Sequence, residues 1–142
     1  MELDYLESGS QDCPLIRLQS ADAEDFLQLR KAIEQLRIGT EETLRLNKLP
    51  FIKSIDGTSL VLLSAATSNH VGVRRLKQAE PGTFEWTLPA DKWEWVEELI
   101  KPFEERDDSA GYHQWLTGWD AAGLAGDSEI AVVITSHKGG AW

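Results

Sequence analysis

The sequence predicts an α+β fold: a mostly antiparallel sheet of about five or six strands carrying two packed helices, at about residues 20–38 and 89–106. Three observations predict it. Two long segments repeat apolar residues at the three-to-four spacing of a helix face. Several short segments read as strands, and two of them, 59–66 and 128–136, are apolar on both alternating faces. The order is strands, helix, strands, helix, strands, which is not the regular alternation of a doubly wound α/β sheet.

Taken in order, Pro14-Leu15-Ile16-Arg17-Leu18 is the first strand candidate. The first helix follows. Phe26, Leu29, Ile33 and Leu36 form its buried stripe, Ser20 or Asp22 can cap its start, and Gly39 can close it. Leu27 and Ile38 fall on the opposite side. Thr43-Leu44-Arg45-Leu46 alternates weakly, and Pro50 and Asp56-Gly57 mark breaks. Ser59 to Ala66 reads as a central strand. Val71–Leu76 and Thr83–Leu88 are further strands, the first of them reached through a hairpin turn at Ser68-Asn69-His70. In the second, Phe84, Trp86 and Leu88 share a face opposite Glu85 and Thr87.

Pro89 suits the start of the second helix, where its missing N–H is least needed. At about 100° per residue, Trp93, Val96, Ile100, Phe103, Leu99 and Trp95 cover one arc. Glu94, Glu97, Glu98, Lys101, Glu104 and Glu105 cover the opposite, solvated arc. Pro102 should kink or shorten the last turn, because it cannot donate to residue 98. Tyr112–Leu116 is a short strand or turn. Trp119–Asp127 is a Gly/Ala-rich loop, Ser128–Ser136 is a second central strand, and Trp142 anchors the tail.

At 142 residues the chain suits one domain, 1–142. A domain of that size buries roughly 68–70% of its unfolded surface and needs no staples. The composition, 42% hydrophobic and 27% charged, is that of a globular protein. One cysteine, Cys13, excludes an internal disulfide and favours a reducing, cytoplasmic setting. The first residues carry neither a basic nor an apolar leader region, and no apolar run approaches the roughly 18 residues of a membrane span.

The net charge of −10 argues against nucleic-acid and anionic-membrane partners, whose phosphates call for Lys and Arg. A protein partner, if there is one, is expected to be basic. The charge is concentrated: residues 85–129 contain twelve acids against three bases. They also contain Trp86, Trp93, Trp95, Trp115 and Trp119, five of the six tryptophans. Trp is enriched at binding hot spots and charge steers encounter, so this stretch is the first place to look for a site. Trp86, Trp93 and Trp115 are expected in the core. Trp95, at the border of the acidic arc, and Trp119, beside Gly118, are not so readily assigned there.

Chemistry-bearing motifs are sparse. There is no G-x-S-x-G, no phosphate-binding glycine loop, and no H-E-x-x-H, C-x-x-C or EF-hand spacing, so no metal and no cofactor is expected. Among the histidines, His70 reads as a turn residue and His137 as part of a terminal turn. His113, close to Asp107 and Asp108, is the one candidate for an Asp–His general base. Those two aspartates with Asp120, Asp127 or Glu129 lack the fixed spacing of a calcium loop. Cys13 lies in no nucleophile signature.

Three expectations follow. The first is a non-catalytic binding module that presents an acidic and aromatic surface to a basic partner through Trp95, Glu94, Glu98, Trp119 and His113. Small acidic immunity and antitoxin proteins that neutralise basic proteins are an analogy in charge and size only. The second is an accessory or self-associating subunit with an apolar patch around Leu27, Ile38 or Trp119. The third is a small hydrolase with a site around His113, Asp107 and Asp108.

Overall fold

The computed structural model describes residues 1–8, 14–64, 71–77, 82–105, 113–117 and 130–136. Nine strands and two α-helices lie among them, an α+β arrangement. In chain order they are β1 (Glu2–Leu6), β2 (Leu15–Gln19), α1 (Ala23–Arg37), β3 (Thr43–Arg45), β4 (Lys53–Ser54), β5 (Ser59–Ser64), β6 (Gly72–Lys77), β7 (Thr83–Leu88), α2 (Ala90–Glu104), β8 (His113–Trp115) and β9 (Ala131–Thr135).

The strands divide between two mixed sheets rather than entering one mostly antiparallel sheet. The first has the order β4-β1-β2-β9-β8 and the second β3-β5-β7-β6. The pairs β1–β4, β2–β9 and β5–β7 are parallel. β5 and β6 are not neighbours, because β7 lies between them. The expected hairpin pairing of these two strands is therefore absent, and β6 instead pairs antiparallel with β7; Ser68, Asn69 and His70 themselves lie outside the described residues. Alternation along a strand indicates which face is buried but not which strand lies alongside, so this division had no local signal.

Both expected central strands are central. β9 lies between β2 and β8, and all five of its residues are buried. Val132 and Ile134 join the main core on one face, while Ala131 and Val133 join Leu15 in a smaller cluster on the other. β5 lies between β3 and β7 with Leu60 and Leu62 buried, but Val61 and Leu63 are only half-buried. β1 was not expected. Its Leu3 and Tyr5 alternate with Glu2 and Asp4, and Leu3 is buried. Asp4 lies directly opposite Arg17 on β2, which donates to it through Nε (3.0 Å) and Nη2 (2.7 Å). This bidentate pairing is what allows two charges to be buried together.

One apolar cluster unites both sheets and both helices. The predicted stripe of α1, Phe26, Leu29, Ile33 and Leu36, is buried throughout. Asp22 caps that helix by accepting from the Glu24 N–H at 2.9 Å. At the other end Gly39, at φ 88°, lets the Gly39 and Thr40 N–H groups turn back onto the Leu36 and Gln35 carbonyls. That closure needs the left-handed backbone conformation glycine adopts freely. Ring contacts tie the layers together: Tyr5–Phe84 between the sheets at 4.7 Å, Phe26–Phe103 between the helices at 5.0 Å, and Trp86–Trp93 between β7 and α2 at 4.8 Å.

α2 starts one residue later than expected. Pro89 is its N-cap, and the Pro89 carbonyl accepts from the N–H groups of Lys92 and Trp93. The helix runs past Pro102 to Glu104. No helix among the described residues is long and apolar enough to cross a membrane.

Candidate functional site on the second helix

α2 carries two kinds of surface, and the sequence separates them only in part. Trp93, Val96, Ile100 and Phe103 are buried as expected. Trp93 is fully buried and its indole N–H donates to the Leu63 carbonyl at 3.0 Å, so the polar end of the ring is satisfied in the core. Leu99 is half-buried against the same core.

Glu97 does not belong to the solvated arc. It is only 5% exposed and takes a charge-assisted hydrogen bond from Arg37 of α1. Seven residues on, Glu104 accepts from Arg30 Nε at 2.7 and 2.9 Å. The two pairs run in opposite chain directions, Arg30 to Glu104 and Arg37 to Glu97, so the helices are antiparallel and joined by a two-rung ladder. The hydrogen bond from each arginine to its glutamate holds both guanidiniums above their ordinary pKa, against a smaller opposing effect of burial. The sequence did contain a signal for this. Glu97 follows Trp93 by four residues and so shares its flank, and the seven-residue spacing of Glu97 and Glu104 matches that of Arg30 and Arg37.

The outward face is different. Trp95 is 52% exposed. With Asp91, Glu94 and Glu98 it lines an open surface pocket of about 400 Å³. These residues stand four before, one before and three after Trp95, within one turn of it on either side. Lys101 donates to Glu98 at 2.9 Å, and this hydrogen bond raises the lysine's pKa above its ordinary value. Asp91 and Glu94 make no ion pair among the described residues. The positive end of the helix macrodipole accounts for Asp91 in the first turn, but not for a large exposed aromatic ring or for Glu98 in the third.

The structure thus brings together Trp95, Glu94 and Glu98 of the expected binding residues and adds Asp91, whose four-residue spacing from Trp95 was the available signal. His113 stands apart from them, exposed on the edge strand β8 opposite Thr135. Trp115 is half-buried beside the smaller apolar cluster rather than in the main core. Asp107, Asp108, Trp119, His70, His137, Cys13, Asp120, Asp127, Glu129 and Trp142 lie outside the described residues. Among the described residues no group of three or more His, Cys, Asp or Glu side chains is arranged to hold a metal ion. Of the expected self-association patch, Ile38 is exposed and Leu27 half-buried.

A larger pocket, of about 550 Å³, lies at the start of α1 and is lined by Met1, Gln19, Asp25 and Phe51 among others. Its polar groups serve the fold. Asp25 accepts from the Met1 ammonium at 3.0 Å and from Ser20 Oγ at 2.6 Å, and the same ammonium donates to the Phe51 carbonyl at 2.8 Å. Gln19 Oε1 makes no hydrogen bond but is sealed from solvent. Pocket size therefore does not select the site. The unpaired acids around an exposed indole do.

Comparison with protein-family models, with curated proteins and with solved structures finds no match to this chain.

Proposed function

We propose that the protein is a non-catalytic binding module whose second helix presents Trp95, Asp91, Glu94 and Glu98 to a basic protein partner. One observation carries this reading. The acids of α2 fall into two sets: Glu97 and Glu104 are held by arginines of α1, whereas Asp91 and Glu94 are left unpaired beside a half-exposed tryptophan. Surface carboxylates of this kind accelerate encounter with a positive partner, and an aromatic at their centre supplies the desolvated contact.

The test is co-purification from the native host with the full chain as bait, in three forms: wild type, Asp91→Lys/Glu94→Lys/Glu98→Lys, and Glu7→Lys/Glu24→Lys. The last reverses exposed charge after β1 and in the first turn of α1, at residues that do not line the pocket around Trp95. Glu97 is left intact in every form, because reversing it would break the helix pair. Basic proteins held by the wild type and the control, but not by the first variant, are the expected result. Equal recovery with all three baits would end the proposal.

A further inference from the structure

We infer that the side chain this helix face receives is an arginine, stacked on the Trp95 indole with its guanidinium directed at the flanking carboxylates. This deepens the binding reading above and rests on it.

Charge complementarity narrows the partner to a cation, and the geometry narrows the cation. A single exposed ring is bordered by carboxylates before and after it on the helix. A quaternary or methylated ammonium has few or no N–H groups to give those carboxylates, and its recognition relies on several rings forming a cage. Among the described residues only one aromatic ring lines this pocket. A lysine ammonium can pair with one carboxylate but is compact and strongly hydrated, so it gains less from an indole face. Guanidinium is planar and weakly hydrated, and it offers five N–H donors in a rigid fork. It can lie on the ring while its edges reach Asp91, Glu94 or Glu98.

The molecule contains a version of the same arrangement. Arg75 lies over the Tyr5 and Phe84 rings, 5.5 Å from each centroid, with Glu7 at 3.8 Å. An aromatic face, a guanidinium and a carboxylate thus already meet once in this fold. On α2 the ring and the carboxylates are in place and the guanidinium would come from outside.

The experiment titrates the full chain with three peptides of equal length, in which glycine–serine spacers separate arginines, lysines or uncharged citrullines. Binding is read by calorimetry at low and high salt. The arginine peptide should bind more tightly than the lysine peptide by about three- to fivefold, and Trp95→Ala should remove that margin while leaving the lysine peptide nearly unchanged. Trp95→Phe should keep part of the margin. The Glu94→Gln/Glu98→Gln pair should weaken both cationic peptides, and the citrulline peptide should not bind. Equal binding of arginine and lysine peptides, insensitive to Trp95→Ala, overturns the arginine inference while leaving a charge-driven binding face standing. Failure of every peptide, with the host partner still lost on reversal of Asp91, Glu94 and Glu98, also overturns it alone. Failure of the peptides together with equal recovery by all three baits removes both proposals.

Discussion

Trp93 and Trp95 stand two residues apart on one helix, and Glu97 and Glu98 stand side by side, yet the members of each couple lie in opposite environments. Trp93 is fully buried against Trp86, with its N–H bound to a carbonyl, whereas Trp95 is 52% exposed. Glu97 is 5% exposed and held by Arg37, whereas Glu98 is in solvent, where it accepts from Lys101 of its own helix. Composition does not distinguish the two sides of α2, since each has tryptophan and glutamate. What distinguishes them is whether another element supplies a partner. On the inward side α1, β5 and β7 supply every one. On the outward side the described residues give Asp91 and Glu94 no ion pair, and Arg37, bound to Glu97, attracts Glu94 only at longer range; that asymmetry is why the outward side is the candidate for binding.

The largest test of this contrast is truncation of the two tryptophans. Trp93→Ala should lower unfolding stability by about 3–5 kcal/mol in urea denaturation, because it removes a buried ring and opens a cavity. Trp95→Ala should stay within about 0.5 kcal/mol, as surface substitutions do. A loss above about 2 kcal/mol at Trp95 would mean that its ring is structural, and the binding reading would lose its main support.

The next test separates the glutamates. Glu97→Gln should lower stability by about 1–2 kcal/mol, because Arg37 keeps its charge at a part-buried position without a counter-ion. Arg37→Met combined with Glu97→Gln should recover part of that loss, read as a double-mutant cycle. The sign of the pH dependence follows from the arginines. Their pKa is raised by the pairing, so the stabilisation is fully present below the ordinary guanidinium range and is lost only above it. The gap between wild type and Glu97→Gln should therefore stay constant from about pH 7 to about pH 10. A gap that closes on the alkaline side would show that another group controls the helix contact.

Much of the inward side was legible in the sequence, because burial leaves a period. The stripe Phe26, Leu29, Ile33, Leu36 and the face Phe84, Trp86, Leu88 follow from spacing alone. Three features were not read correctly. β1 has a period-two pattern in Leu3 and Tyr5, but five residues at a chain end are too few to distinguish from an irregular segment. The division into two sheets depends on strand neighbours, which local patterning does not encode. Glu97 sits within the angular range of an exposed face, and Arg37, sixty residues away, makes its burial tolerable. Of the candidate site, the border position of Trp95 between apolar and acidic arcs was legible. That Asp91 joins it, and that Glu97 and Glu104 leave it, required the fold.

A smaller effect probes the outward side itself. Pro102 is exposed and removes one backbone donor from the last turn of α2. Pro102→Ala restores an N–H able to reach the residue 98 carbonyl and gives up no packing, so stability should rise by about 1 kcal/mol. A loss instead would mean that the turn after α2 depends on the proline. That would make the outward rim of the helix part of the fold's support and weaken the contrast between the two sides.

The smallest expected change is the most discriminating, because it is a near-cancellation. Glu98→Gln removes an i,i+3 pair with Lys101 and, at the same time, a like-charge i,i+4 contact with Glu94. Each is worth roughly 0.2–0.5 kcal/mol with opposite sign, so the net change in urea midpoint should be close to zero. High salt should screen both terms and leave it there. A substitution that is silent in stability but weakens binding of a basic peptide separates the two roles of α2 at one residue. If stability instead falls by more than about 1 kcal/mol, Glu98 is held by the fold much as Glu97 is. Glu98 would then join Glu97 and Glu104 in the structural set, and the face open to a partner would shrink to Trp95 with Asp91 and Glu94 on its N-terminal side.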